Sequence, residues 1–581
     1  MLRACLSKKN NEFCFSDNPI GANASDILFE ESHDSDAVNV CRQRMLFAIA
    51  AFSVIYFTII IRIFYVCLTD GIHFHTFEDA NGEYELSTGA PISRADITDR
   101  NGIIVATSLP TVNLYANPKH VQNVQDVAEK LSLLFPEISY DDLVAKLSRK
   151  HTVFSMIKYN LSPAQQSAVN CLGIPALEFQ QSEKRVYPHN NLFSHILGYT
   201  NIDNLGLAGI EKSLHKRLTE SSKSLQLTID TGVQDTIREE LLAAVKHYNA
   251  NGAAAIVMDV NTGEIISMVS VPDYNPNLNI PVGNRSLFNF ATQGVYEAGS
   301  VFKTFNTALG LESGKVKVND KFDATKPIKI QGMTVSDYRG ENRWLTVGEV
   351  LIHSSNIGSV QMVLRVGKEK QRQFLQNLGF EVPLSDFQVA EKARPLFPSK
   401  QKWRDDTMAT ASFGYGLSVT PLHLVSAFSA LVNGGIYHYP TIVKGDEHQS
   451  RRVISKKTSD NMRHLLRDVV IYGSGKKANV AGYQVIGKTG TANKLINGRY
   501  KNKVVMTSFL AAFPESDPKY AMLLVFDEPQ STSETYGFVT SGWNAVPVGG
   551  KIISEIAPQL NVQADFDLDT QRRHVKAVFE K

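Results

Sequence analysis

The chain has 581 residues, 43% hydrophobic and 20% charged, with 60 basic against 58 acidic side chains. That length exceeds one ordinary core and implies two or more domains, while the apolar content excludes a disordered protein. A net charge of +2 without a long basic run excludes nucleic acid as a partner.

Residues 1–44 are polar and lack sustained periodicity, which predicts a flexible tail. Met45 to Ile61 then runs for 17 residues without a charge, and past Arg62 the apolar run reaches 24 residues at Leu68. A helix of that length measures about 36 Å, enough to cross a bilayer with tilt. Arg62 can snorkel from near one end. With 44 residues before the run and no Ala-x-Ala after it, residues 45–68 read as an uncleaved anchor and not as a signal peptide. Arg3, Lys8, Lys9, Arg42 and Arg44 precede the anchor, whereas no lysine or arginine lies between Ile63 and Ser93. The positive-inside rule then leaves the N-terminus in the cytoplasm and exports the remainder. Of the five cysteines only Cys171 would be exported, so no intramolecular disulfide is expected outside.

Residues 69–230 mix short strand-like and helical stretches and hold no catalytic constellation. Asn101-Gly102 within Asp99-Arg100-Asn101-Gly102 predicts a tight turn. A helix follows Asp230, with Val233, Ile237, Leu241, Ala244 and Val245 on one face. Ala253 to Val260 and Ile265 to Val271 read as strands around Asn261-Thr262-Gly263, a hairpin signal. Tyr483 to Ile486, Val504 to Phe513 and Tyr520 to Phe526 supply three more strands, and a mainly helical stretch separates the two groups. The predicted fold class is α/β (α+β): an antiparallel sheet flanked by helices and interrupted by a helical insertion, over residues 231–560. Residues 561–581 are charged and peripheral.

Chemistry concentrates in that second part. Lys488-Thr489-Gly490-Thr491 occurs once, 188 residues after Ser300 and its partner Lys303. A Ser-x-x-Lys places hydroxyl and amine one helical turn apart on one face. A lysine whose pKa is lowered by burial or a neighbouring cation can take the serine's proton and make it a nucleophile. Lys488 can be that cation and also a docking point for a substrate carboxylate. Ser-x-x-Lys recurs, among other places, at Ser155/Lys158, Ser213/Lys216, Ser399/Lys402 and Ser474/Lys477, so spacing alone selects nothing. Ser300 is selected by context: it follows Gly299 and opens a run with Val301, Phe302, Phe305, Ala308 and Leu309 at helical spacing. A serine there is alternatively a plain N-cap. Ser-x-Asn occurs at Ser16/Asn18, Ser354/Asn356 and Ser459/Asn461. The first precedes the anchor. Ser459 starts an amphipathic run with Met462, Leu465, Leu466, Val469 and Val470, which predicts an N-cap. Ser354 and Asn356 sit in a polar loop between apolar stretches, where side chains can project into a cleft, and are therefore preferred.

With these three motifs in this order, the chain resembles the class B penicillin-binding proteins from the anchor to residue 560. Ser194-His195-Ile196-Leu197-Gly198-Tyr199, Gly209-Ile210-Glu211-Lys212 and Asp99-Arg100-Asn101-Gly102 are similar to that family's N-terminal module. Ser412-Phe413-Gly414-Tyr415-Gly416 with Thr420-Pro421 is similar to its septal, FtsI-type branch. Ala95, Ala298 and Val301 depart from the family's usual residues but remove no catalytic group. The resemblance implies a D,D-transpeptidase that crosslinks stem peptides at the septum and is acylated by β-lactams. It implies that Ser300 attacks the penultimate D-alanine carbonyl, Lys303 accepts the proton, Ser354 relays it, and Asn356 holds the substrate amide. Lys488, Thr489 and Thr491 would bind the terminal carboxylate, and the N–H groups of Ser300 and Thr491 would form the oxyanion hole. No metal or nucleotide cofactor is implied. The implied setting is a bacterial inner membrane, with one spanning helix and other division proteins as partners. The rival readings are an elongation-specific transpeptidase, a β-lactamase or β-lactam sensor, and a non-catalytic division scaffold.

Overall fold

The computed structural model describes residues 31–70, 94–221, 223–446, 449–496 and 498–566. The chain divides into two compact units, residues 1–88 and 89–581. The first unit contains helix α1 (Glu31–Asp70). Within it, Gln43–Arg62 has a mean hydropathy of 2.2 and no buried share. Phe47, Phe52, Ile55 and Ile60 all stand exposed. Such a helix has no protein core to sit in and is long enough to span a bilayer. It begins at Glu31, so the last part of the expected flexible tail is helical instead. Once the apolar segment nucleates a helix, residues such as Glu31, Ala37 and Arg44 extend it at little cost. Residues 1–30 lie outside the described residues.

In the second unit, strand β1 (Ile104–Ala116) pairs antiparallel with both β2 (Ser155–Leu161) and β3 (Leu177–Val186). Leu114, Leu131, Phe135, Leu143 and Leu147 form a separate apolar core beside them. The Asp99–Gly102 turn forms as expected. Asp99 Oδ1 accepts from Asn101 N at 2.8 Å and Ile103 N at 2.9 Å. Glu211 is the electrostatic centre of this module: Arg94 and Arg185 both pair with it, and none of the three side chains exceeds 1% exposure. Removing Glu211 would leave two buried guanidinium groups uncompensated, at a cost of about 3–5 kcal/mol.

Asp99 also ties the module to the domain beyond residue 230, accepting from the Thr231 hydroxyl at 2.7 Å. Thr231 opens helix α2 (Thr231–His247), whose N-cap Asp230 accepts from Gly232 N and Val233 N. The hairpin β4 (Gly252–Asp259) and β5 (Ile265–Val271) comes next. The helical insertion contains α3 (Phe302–Glu312), α4 (Val347–Ile352), α5 (Asn356–Val366), α6 (Pro421–Val432) and α7 (Lys456–Tyr472). Strands β6 (Ile486–Ile496), β7 (Arg499–Phe513) and β8 (Tyr520–Asp527) and helix α8 (Ala545–Gln559) complete the domain. The sheet is antiparallel, in the order β6-β7-β8-β4-β5. Alternate residues serve opposite faces. Ala254, Ile256 and Met258 join the core of Phe302, Phe305 and Phe428, while Ala255 and Val257 pack with Ile237, Leu241 and Ile553. Helices cover both faces, so these central strands read as continuous apolar runs.

One strand differs from expectation. Tyr483 to Val485 form a loop, and the strand runs instead from Ile486 through Ile496. It lies at the sheet edge, and its polar residues Lys488, Thr489 and Thr491 hid it from a search for apolar alternation. Ala564 and Phe566 come within 3.1 Å of a Cβ built on Gly482, so the chain just beyond α8 packs there, and residues 567–581 lie outside the described residues.

Candidate active site

Ser300 lies in a single 3-10 turn, Gly299–Val301, that leads directly into α3. No side chain caps that turn, so the hydroxyl has no N-cap role. One turn on, Lys303 is 1% exposed among the apolar residues of α3. Its Nζ lies 3.0 Å from Ser300 Oγ and 3.1 Å from Ser354 Oγ, and it also reaches the Ser354 carbonyl. Ser354 can offer both oxygens because it occupies the turn between α4 and α5 with φ +56°. That turn is held by a capping box at Thr346 and Glu349, which starts α4, and by Ser355, which caps α5. Lys488 Nζ approaches the same hydroxyl from β6, 3.1 Å from Ser354 Oγ and 3.1 Å from Thr489 O. A continuous chain of polar contacts therefore runs Ser300–Lys303–Ser354–Lys488.

Burial sets the electrostatics. Desolvation holds the Lys303 amine well below its ordinary pKa, the Lys488 charge lowers it further, and Asp337 opposes the shift. Burial also draws Lys488 down to about 7. Two ammonium groups sharing one hydroxyl in a dry cleft repel each other, which favours loss of a proton from the pair. For Lys303, desolvation is the larger cause and the Lys488 charge the second.

Strand β6 approaches the nucleophile closely because of two glycines. A Cβ at Gly490 would fall 2.3 Å from Ser508 Oγ and 2.8 Å from Ala298 O. Gly299, at φ +56°, would place one 2.8 Å from Thr491 O. Neither position tolerates a side chain. Thr489 Oγ1 lies 2.7 Å from Ser474 Oγ, and Thr491 Oγ1 accepts from Ser541 N at 3.1 Å. Gly299 N donates to Gly414 O, which places the Ser412–Gly416 segment against the nucleophile turn.

Asn356 is the motif residue that stands apart: its side chain donates to Ser336 O at 2.9 Å. Ser459 is not an N-cap. Ser455 caps α7, and the buried Ser459 hydroxyl donates to Leu431 O and accepts from Gly434 N. The polar run from Ser455 to Lys457 carries the helix one turn further back than the apolar pattern indicates. Two residues of the site carry no signal in the sequence pattern. Asp337 accepts from Ser355 Oγ, Asn356 N and Ile357 N at the start of α5. It comes from an irregular segment with no motif. Ser474 belongs to one of the recurring Ser-x-x-Lys pairs, and only folding brings it to Thr489.

The chain is similar to known proteins. The sequence profile of the penicillin-binding protein transpeptidase domain matches residues 253–542, and that of the penicillin-binding protein dimerisation domain matches residues 90–240. A probable peptidoglycan D,D-transpeptidase FtsI of Caulobacter vibrioides is 36% identical over 498 residues, covering 83% of this chain and 84% of that protein. The peptidoglycan D,D-transpeptidase FtsI of Escherichia coli K12 is 30% identical over 506 residues, covering 81% and 84%. In fold, the chain is similar to penicillin-binding protein 3 of Mycobacterium tuberculosis complexed with aztreonam. The TM-score is 0.64 at 23% identity, covering 82% of this chain and 98% of that one.

Proposed function

Because the chain belongs to the class B penicillin-binding proteins of the FtsI type, and is thus a serine D-Ala-D-Ala transpeptidase of peptidoglycan, we propose that Ser300 is its acylating nucleophile and the division septum its place of work. The observation that carries the catalytic assignment is the Ser300–Lys303–Ser354–Lys488 chain. Neutral Lys303 takes the Ser300 proton as Oγ bonds to the penultimate D-alanine carbonyl. Ser354 Oγ, 3.1 Å from Lys303 Nζ, passes a proton to the departing D-alanine amine as the C–N bond breaks. An amine from a neighbouring stem peptide then attacks the ester, forms the crosslink and returns the proton to Ser300. A β-lactam opens its ring on the same oxygen. Lys488, with the Thr489 and Thr491 hydroxyls, holds the terminal carboxylate. The N–H groups of Ser300 and Thr491 serve as the oxyanion hole, a role supported by the close approach of their backbones at Gly299. Asn356 orients the substrate amide once substrate displaces its bond to Ser336.

The pH dependence follows from the two amines. Lys303 must be neutral to act as base, so penicillin acylation should rise with pH through its depressed pKa. In Lys488→Gln the cation that depresses Lys303 is gone, the Lys303 pKa rises, and the acid limb moves to higher pH. The measurement is the second-order acylation rate of both proteins across pH. An acid limb that stays in place would show that Lys303 is not the titrating base.

We further infer that residues 1–44 form a cytoplasmic segment and 45–68 the spanning anchor, with 69–230 and 231–560 exported as pedestal and catalytic domains and 561–581 peripheral. The basic residues before the anchor support that orientation. Placement at the septum, with other division proteins as partners, is supported by Ser412–Gly416 with Thr420-Pro421. A fusion to a fluorescent reporter active only outside the cytoplasm, joined after residue 566, should shine as a band at mid-cell. A dark fusion would refute the orientation. Signal along the side walls would replace the septal reading with an elongation-specific one.

A further inference from the structure

Residues 391–404 are tied by backbone hydrogen bonds to the segment that precedes the nucleophile. Leu396 and Ser418 exchange backbone hydrogen bonds of 2.8 and 2.9 Å, and Tyr296 and Val419 exchange two of 3.0 Å. Two strand spacings, about 10 Å, therefore separate Leu396 from Tyr296, and Ser300 follows Tyr296 in the chain. The segment is firmly built. Phe397 stacks on Trp403 with centroids 5.0 Å apart, and the Arg372 guanidinium lies 5.0 and 5.5 Å from the two rings. Arg372 also donates to Pro398 O at 2.6 Å.

From this platform Arg394, Lys400 and Lys402 project into solvent. None of the three has an ion-pair partner among the described residues. The acidic groups nearby are already engaged: Glu381 by Arg372, Asp405 by Lys368, Asp406 by Arg404, and Glu391 by the Gly209 N–H. The segment thus presents three exposed cations without an ion-pair partner among the described residues, and its Leu396 lies two strand spacings from Tyr296, four residues before Ser300. Like charges held together repel, and a polymer bearing several carboxylates is their natural complement.

We propose that Arg394, Lys400 and Lys402 bind the free carboxylates of a peptidoglycan strand outside the cleft and so hold the polymer at the mouth of the site. This deepens the reading of Ser300 as the nucleophile and rests on it. On this reading the platform contacts the polymer and not the group being acylated.

The test uses the full chain in detergent micelles, sedimented with isolated sacculi whose carboxylates are either free or chemically amidated. The combined Arg394→Gln, Lys400→Gln, Lys402→Gln protein should bind native sacculi about tenfold more weakly than the parent, as expected from three exposed ion contacts. The parent's binding should fall with added salt and with amidation, and both dependences should vanish in the variant. The charge-keeping combination Arg394→Lys, Lys400→Arg, Lys402→Arg should restore binding. Penicillin acylation should be equal in all three proteins. Undiminished binding of the glutamine variant to native sacculi would overturn the proposal and leave the platform to another anion, such as a lipid surface or an acidic protein. A parent that penicillin fails to acylate would instead overturn the reading of Ser300.

Discussion

The Ser300→Ala protein is expected to take up no fluorescent penicillin while melting close to the temperature of the parent. The substitution removes the oxygen that forms the acyl ester, so no slower route through the same site remains. Its structural cost is small for a reason visible in the site. Ser300 caps no helix, and Lys303 keeps its contacts to both oxygens of Ser354 when the hydroxyl is gone. The loss therefore stays below about 1 kcal/mol, the usual value of a lost cap. Labelling that persisted, or that mapped to Ser155, Ser213, Ser399 or Ser474, would sink the assignment. Ser474 is the instructive control, since it touches Thr489 and is the recurring Ser-x-x-Lys serine nearest the third motif.

Ser354→Ala should slow penicillin acylation by about 10²–10⁴-fold, the range of general acid–base help. It removes a hydroxyl that both Lys303 and Lys488 contact, so the proton loses its path and the two amines lose their shared partner. Asn356→Ala should slow the reaction in the same direction. Ser459→Ala should leave the acylation rate nearly unchanged. Its effect falls on stability, about 1–3 kcal/mol, because the buried Leu431 carbonyl and Gly434 N–H are left without their partner. Acylation rates and melting temperatures of the three variants decide the matter together. A slow Ser459 variant beside a normal Ser354 variant would transfer the second motif to Ser459.

The exposed apolar helix, the α2 helix after Asp230, the β4–β5 hairpin and the paired candidates Ser300/Lys303 and Lys488–Thr491 were all legible in the amino-acid order. Each depends on local physics: an uncharged run of bilayer length, an aspartate that caps a helix, apolar runs around Asn-Thr-Gly, or two side chains one helical turn apart. What sequence by itself determined was therefore the elements and the inventory of reactive groups. Tertiary structure alone decided which groups meet. Lys303, Ser354 and Lys488 come from three separate elements, and their convergence depends on how α3, the α4–α5 turn and edge strand β6 pack. Burial then supplies what no spacing encodes, an amine held far below its ordinary pKa. The same limit explains Ser459, where an apolar period placed a cap four residues late, and Asp337 and Ser474, whose partners lie far along the chain. A motif specifies distances along a backbone, whereas proton transfer depends on distances and desolvation in space, and only the packed fold sets those.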